Sequence, residues 1–187
     1  MAARVCNRHA AIGLLVNNAG IPGRDSFLRL DPERIEQVLR TNYLGGLWCL
    51  RAFLPALAAA RPAHVVNIVS VAGTVALVPS GPYSASKHAQ LAFSRATAAE
   101  LRPRGIAVHT VNPGYVETEG FPQRSVLRSP FLRRIVIRPE QVAAHVVSLL
   151  EKGSTETFIP RGYRLAALAQ VLVPSLLAGV VGRSAYR

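Results

Sequence analysis

Cysteine is nearly missing from this chain of 187 residues, with only Cys6 and Cys49 present. Two isolated thiols build no disulfide framework and no metal-ligand spacing, so a reducing cytoplasm is the expected setting. Lysine is equally scarce. Of the 22 basic residues only Lys87 and Lys152 are lysine, against ten acidic residues and a formal net charge of +12. Such an excess can mark a nucleic-acid partner. Here the arginines are scattered, with a mild concentration at Arg124, Arg128, Arg133, Arg134 and Arg138. No basic stripe with interleaved aromatics accompanies them, so no nucleic-acid partner is expected. His9, His64, His88, His109 and His145 form no ligand pair at i, i+4. Neither a metal site nor a hydrolytic triad is expected. The opening Met-Ala-Ala-Arg runs into no sustained apolar stretch, and we read no signal peptide there.

What is present is half hydrophobic and only 17% charged, a globular composition with length enough for one sizeable core. The apolar run from Ile12 to Val16 breaks into Asn17-Asn18-Ala19-Gly20, as a buried strand entering a loop does. Asp31-Pro32-Glu33 reads as a helix start with Asp31 as N-cap, and the helical pattern continues with interruptions to about Ala60. Gly45-Gly46 within it points to close packing against a neighbour. Val65 to Val69 is the next strand, rich in β-branched residues. A loop from Ser70 to Pro82 leads into a helix from about Tyr83 to Leu101, then a strand from Ile106 to Val111. Pro139 to Leu150 is a further helix closed by Gly153, and Thr157 to Ile159 a last short strand. Strands alternating with helices of this length predict parallel βαβ units and a doubly wound α/β sheet. Right-handed crossovers are expected to place helices on both faces.

The stretch from Leu165 to Gly182 is interrupted only by Gln170, Pro174 and Ser175. It is just long enough to be weighed as a membrane span. Its many small residues and the central proline favour packing on the core or on a partner subunit, with contact to a membrane surface through 165–182 as the alternative. We therefore divide the chain into a main unit over 1–163 and an apolar, basic tail helix over 164–187.

The strongest local signal is Tyr83-Ser84-Ala85-Ser86-Lys87. Residues at i and i+4 of a helix share a face, so phenol and ammonium are expected side by side. A nearby cation favours the phenolate and lowers a tyrosine pKa, which makes the residue a usable acid/base. A surface tyrosine next to a solvated lysine is the plainer explanation. With five tyrosines and two lysines in the chain, chance supplies roughly 0.05 such pairs. Ser70 ends a predicted strand, so it and Tyr83 can converge at the carboxyl edge of the sheet, where ligands bind in such folds. Asn42 stands inside a helical pattern, where it needs either solvent or a partner.

The ordered set Asn17-Asn18-Ala19-Gly20, Asn42, Ser70, Tyr83-x-x-x-Lys87 and Pro113-Gly114-Tyr115-Val116-Glu117-Thr118 resembles the classical short-chain dehydrogenase/reductase family, from about Ile12 to Pro160. The resemblance implies an NAD(P)-dependent oxidoreductase that moves hydride between nicotinamide and a carbonyl or secondary alcohol. It assigns Tyr83 as general acid or base and Lys87 as the group that lowers its pKa and bonds the nicotinamide ribose. It assigns Ser70 to the reacting oxygen and Asn42 to a water that links Lys87 to solvent. Asn18, Ala19 and Gly20 would lie along the cofactor, and Pro113, Gly114, Val116 and Thr118 around its nicotinamide end. The segment from Glu119 to Ile137, with Phe121, Leu127, Phe131 and Leu132 among arginines, falls where the family places its substrate loop. That mixture suits an apolar carbonyl or alcohol, with an anionic end as one option; a mobile lid with solvated arginines is the plainer reading. Ala72 to Pro82 would line the other wall.

The family's glycine-rich turn, whose backbone N–H groups and helix N-terminus bind the pyrophosphate, has no counterpart before Ile12. The chain is thus read as lacking the first βαβαβ half. Two expectations follow. The strand at Ile12 to Val16 becomes an exposed apolar edge, and the choice between NAD and NADP is not readable. The alternative function is a non-enzymatic remnant or a partner subunit unable to bind cofactor alone. The helices over 31–60 and 83–101 resemble those the family uses for homo-oligomer packing.

Overall fold

The computed structural model describes residues 1–123, 127 and 132–185. After a short helix α1 (Ala2–Cys6) comes strand β1 (Leu14–Asn17). It starts later than the apolar run because Ile12 gives its N–H to the Ala56 carbonyl at 3.0 Å. Helix α2 (Pro32–Leu39) begins where expected, although the Asp31 carboxylate makes no capping hydrogen bond. The interruption foreseen in the long helical pattern is a π-helical segment, Arg40–Leu44, leading into α3 (Gly45–Ala59). Such segments widen the turn and are frequent at functional sites.

Strand β2 (Ala63–Ile68) is followed by two 3-10 turns, Val71–Gly73 and Val78–Ser80, and then by helix α4 (Gly81–Leu101). That helix starts two residues before Tyr83. Pro82 fits its first turn, where no N–H is needed. Strand β3 (Ile106–Pro113) outruns its apolar stretch because Asn112 and Pro113 pair with Phe158 and Ile159 of β4 (Glu156–Ile159). Between them α5 (Pro139–Lys152) stops at Gly153, which takes the left-handed φ of 69° that closes a helix without a Cβ penalty.

The four strands form one parallel sheet in the order β1-β2-β3-β4. The α/β reading is therefore correct, with a Rossmann-like sheet flanked by helices. In-register pairs such as Val65↔Val108 and Val66↔His109 set which residues share a face. On one face, Leu50, Phe53 and Leu57 of α3 and Leu101 of α4 pack on Ala63, Val65, Ile106 and Val108. On the other, Leu149 of α5 packs on Val66 and Val111. Each such valine, leucine, isoleucine or phenylalanine, once fully buried, contributes about 1.5–3 kcal/mol relative to exposure. The strands all step in one lateral direction, so connections of a single hand would leave all helices on one face. Because α5 lies opposite, the β3-to-β4 connection turns the other way, a departure from uniformly right-handed crossovers. At the β1 edge, Leu14 and Val16 stay 44% and 43% exposed.

The chain ends in α6 (Tyr163–Leu172) and α7 (Pro174–Ala185) rather than one tail helix. Pro174 lacks the N–H that would continue α6, and its ring excludes the preceding turn. Among the described residues no helix is long and apolar enough to cross a membrane.

Candidate active site

A parallel sheet opens all its carboxyl ends at one edge. Asn17, Ile68, Pro113 and Ile159 end their strands there, and the loops that follow carry the candidate residues. Asn42, in the π-helical segment, is 1% exposed. Its Oδ1 accepts from the Ile21 N–H at 2.8 Å, and its Nδ2 donates to the Ile21 carbonyl and to Ser86 Oγ, both at 3.0 Å. The amide thus clamps the loop after β1 onto α4. Both Nδ2 hydrogens are committed, so a water could use only the remaining Oδ1 lone pair of this side chain. Gly20 borders that oxygen: a Cβ there would stand 3.4 Å from Asn42 Oδ1 and 3.8 Å from Lys87 Nζ. Asn18 and Ala19 beside it are exposed.

Tyr83 and Lys87 sit one turn apart on α4, with Nζ 5.8 Å from the phenol ring centroid. Lys87 is buried, and its Nζ donates to the Ile68 carbonyl at 2.9 Å and to Gln90 Oε1 at 2.7 Å. Burial without a carboxylate partner pushes this ammonium down to about 7. Burial pushes the Tyr83 phenol up to about 12, against a smaller downward pull from the Ser70 hydroxyl. The expectation of a tyrosine lowered by its lysine is therefore corrected for this state. The ammonium is drawn to Ile68 and Gln90, and desolvation of the phenolate outweighs it. Ser70 Oγ accepts from the Ala72 N–H at 3.1 Å and points its proton at the Pro113 carbonyl across a long 3.4 Å.

Pro113 and Gly114 leave β3 beside this group, and Gly114 lies directly under the Tyr163 ring. Val116 bridges to Ile137, and Thr118 Oγ1 accepts from the Phe121 N–H at 3.1 Å. Phe121 packs on Tyr83 with ring centroids 5.6 Å apart. Of the expected substrate loop, Arg124, Arg128 and Phe131 lie outside the described residues.

The model of a known family, short chain dehydrogenase, matches residues 1–125 of this chain. The chain belongs to the short-chain dehydrogenase/reductase family. Over 107 residues it is 38% identical to dehydrogenase/reductase SDR family member 7B of Bos taurus, covering 57% of this chain and 33% of that protein. It is 29% identical to the ketoacyl reductase HetN of a Nostoc species over 162 residues, 87% of this chain and 56% of that protein. A solved short-chain dehydrogenase from Burkholderia cenocepacia in complex with NADP superposes with a TM-score of 0.82 at 31% identity, covering 96% of this chain and 73% of that one. The chain thus spans about a third of the length of the first curated relative.

Around these residues lie others that the sequence did not reveal. Asn17 Nδ2 donates to Asn67 Oδ1, Asn67 Nδ2 donates to Ser94 Oγ, and Ser94 Oγ meets Thr110 Oγ1, all within 2.7–2.8 Å. This buried polar chain ties β1, β2, α4 and β3 together below the site. Its α4 member, Ser94, continues a stripe: Tyr83, Lys87, Gln90 and Ser94 recur at three- and four-residue spacing, which could have been read as one buried polar face. Two histidines far apart in sequence also meet, His64 Nδ1 with His109 Nε2 at 3.0 Å. The His109 Nδ1 contact with the Ser154 carbonyl makes that nitrogen a donor, and with a neutral His109 ring its Nε2 accepts from His64 Nδ1.

Proposed function

We propose that this chain holds the reaction centre of an NAD(P)-dependent oxidoreductase that interconverts a carbonyl and a secondary alcohol, with Tyr83 as its proton donor and acceptor. The observation that carries the reading is the meeting of Asn42, Ser70, Tyr83 and Lys87 at one sheet edge, with Gly20 bordering Asn42 and Lys87. The residues fit a nicotinamide nucleotide. A Cβ at Gly20 would fill the space bounded by Asn42 and Lys87, and Lys87 retains one uncommitted N–H for a ribose hydroxyl. Asn18, Ala19, Gly20, Pro113, Gly114, Val116 and Thr118 would border it, and the nucleotide would supply or accept hydride.

At neutral pH Tyr83 is a phenol, ready to protonate a carbonyl oxygen that gains charge. Ser70 holds its proton in a weak bond and can turn it toward the same oxygen. Lys87 then stabilises the phenolate left behind. Phe121 gives the substrate side an apolar wall, which favours a carbonyl compound with an apolar body. The Nostoc relative is a ketoacyl reductase, an activity compatible with that class. The test is titration of NADH and NADPH into the folded 187-residue chain by fluorescence. Micromolar binding of either supports the reading. Absence of binding would transfer the activity to an assembly with further polypeptide, in which this chain is a partner subunit.

A second feature supports a role for the tail as a contact with an anionic lipid surface. Leu165, Leu168 and Leu172 form a stripe on α6, 72%, 52% and 68% exposed. From Thr157 to Arg187 the chain has no acidic residue and carries Arg161, Arg164, Arg183 and Arg187. An apolar face flanked by arginines suits such an interface.

A further inference from the structure

Lys87 is 3% exposed and Gln90 is 2% exposed on the same face of α4. An ammonium has three N–H groups and no acceptor. Two are taken, by the Ile68 carbonyl at 2.9 Å and by Gln90 Oε1 at 2.7 Å. The Ile68 contact is fixed by the backbone of β2, since a peptide carbonyl at a strand end cannot be removed by substitution. The Gln90 contact is a choice of side chain. Gln90 stands three residues beyond Lys87, the spacing that brings two side chains together on a helix. Gly20 borders the ammonium as well: a Cβ there would lie 3.8 Å from Nζ.

We propose that Gln90 is a positioning residue of this site: its side-chain oxygen, with the Ile68 carbonyl, holds the Lys87 ammonium against β2 and leaves its third N–H uncommitted beside Gly20. The inference rests on the oxidoreductase reading for its purpose, though not for its geometry. A leucine at this position would strip a buried cation of one of two acceptors, a severe desolvation cost. A glutamate would keep the acceptor and add a charge. The neutral amide lies between, orienting the cation without neutralising it. The groups that face Nζ are Tyr83 and Gln90 from α4 and the Ile68 carbonyl from β2. Tyr83 is the titratable one among them, and no carboxylate or second cation contributes to the downward push on Lys87.

The chain's two lysines make a direct test practicable. In protein labelled with carbon-13 lysine, the side-chain signals of Lys87 and of exposed Lys152 titrate separately by NMR, with Lys152 as internal reference. Gln90→Leu is expected to lower the Lys87 midpoint by about one pH unit, and Gln90→Glu to raise it by about one or more, the equivalent of a hydrogen bond to a charged group. NADPH binding, followed by fluorescence, is expected to weaken about tenfold in Gln90→Leu and to recover in Gln90→Glu. Gln90→Glu carries the test alone if the leucine variant does not fold, because it preserves side-chain shape. An unchanged Lys87 midpoint in a folded Gln90→Glu protein would overturn the proposal. If Lys87 responds while NADPH binds to none of the proteins, the parent chain included, then the nucleotide reading fails for this chain alone and the Gln90 assignment stands.

Discussion

Tyr83 and Lys87 are perturbed in opposite directions for one physical reason: burial penalises whichever form carries charge. The phenol is held at about 12 and the ammonium at about 7. Tyr83→Phe is expected to reduce turnover about 10²–10⁴-fold, the usual share of a general acid, while nicotinamide nucleotide affinity changes little. Comparing initial rates with fluorescence titration checks both halves. Lys87 also makes a statement about stability. Its folded pKa lies below the ordinary lysine value of 10.5, so between about pH 7 and 10 the unfolded chain binds a proton that the folded chain does not. Stability contributed by this group therefore rises with pH across that window, and its burial cost is greatest below pH 7. The stability difference between the parent and Lys87→Met, measured by denaturant unfolding at pH 6, 8 and 9.5, should shift steadily in the parent's favour. A flat difference would show that Lys87 keeps an ordinary pKa. The Tyr83–Lys87 spacing was legible in the sequence, whereas the depth of burial that sets these values was not.

Among the elements, α4 does the most positioning, and its approach to the turn after β2 depends on one glycine. A Cβ at Gly73 would stand 2.7 Å from the Lys87 carbonyl oxygen and 2.9 Å from Val69 Cγ1. The first neighbour is helix backbone, which cannot rotate away. Gly73→Ala is therefore expected to cost about 1–3 kcal/mol through overpacking, lowering the melting temperature by roughly 3–10 °C in calorimetry. It should also displace Ser70, which begins the same turn. An unchanged melting temperature would mean that the turn and α4 are less tightly joined. The sequence marked Ser70 and the loop after it without showing this contact, because Val69-to-Gly73 and Lys87 approach only once β2 and α4 are packed. The π-helical segment at Asn42 was likewise visible only as an unexplained polar residue in a helical pattern. Its purpose lies in the Ile21 backbone it clamps.

For the molecule as a whole, charge and apolar surface are concentrated at the tail. The formal net charge of +12 belongs to the full chain, and the tail adds arginines beside exposed leucines. Co-sedimentation with vesicles containing phosphatidylserine is expected to fall several-fold when Leu165, Leu168 and Leu172 are changed together to serine, and to weaken in high salt. Equal sedimentation of the parent with neutral and anionic vesicles would remove the electrostatic part of this proposal. Equal sedimentation of parent and variant would remove the leucine stripe. A span across a membrane was one reading of 165–182; Pro174 divides that stretch into α6 and α7, each too short for it.

The sequence by itself determined the alternation of strands and helices, the order of Asn42, Ser70, Tyr83 and Lys87, and the family to which they point. Those features are local or periodic, and hydrophobic patterning and residue spacing carry them directly. The tertiary structure decided what no single segment contains. It placed α5 on the face opposite α3 and α4, joined Asn17, Asn67, Ser94 and Thr110 through the sheet, and brought His64 to His109. It also set the protonation of Tyr83 and Lys87, since a pKa depends on the surroundings that remove water. Gln90 shows the division most clearly. Its spacing from Lys87 was plain in the sequence, and its significance came from packing that buried both side chains on one face.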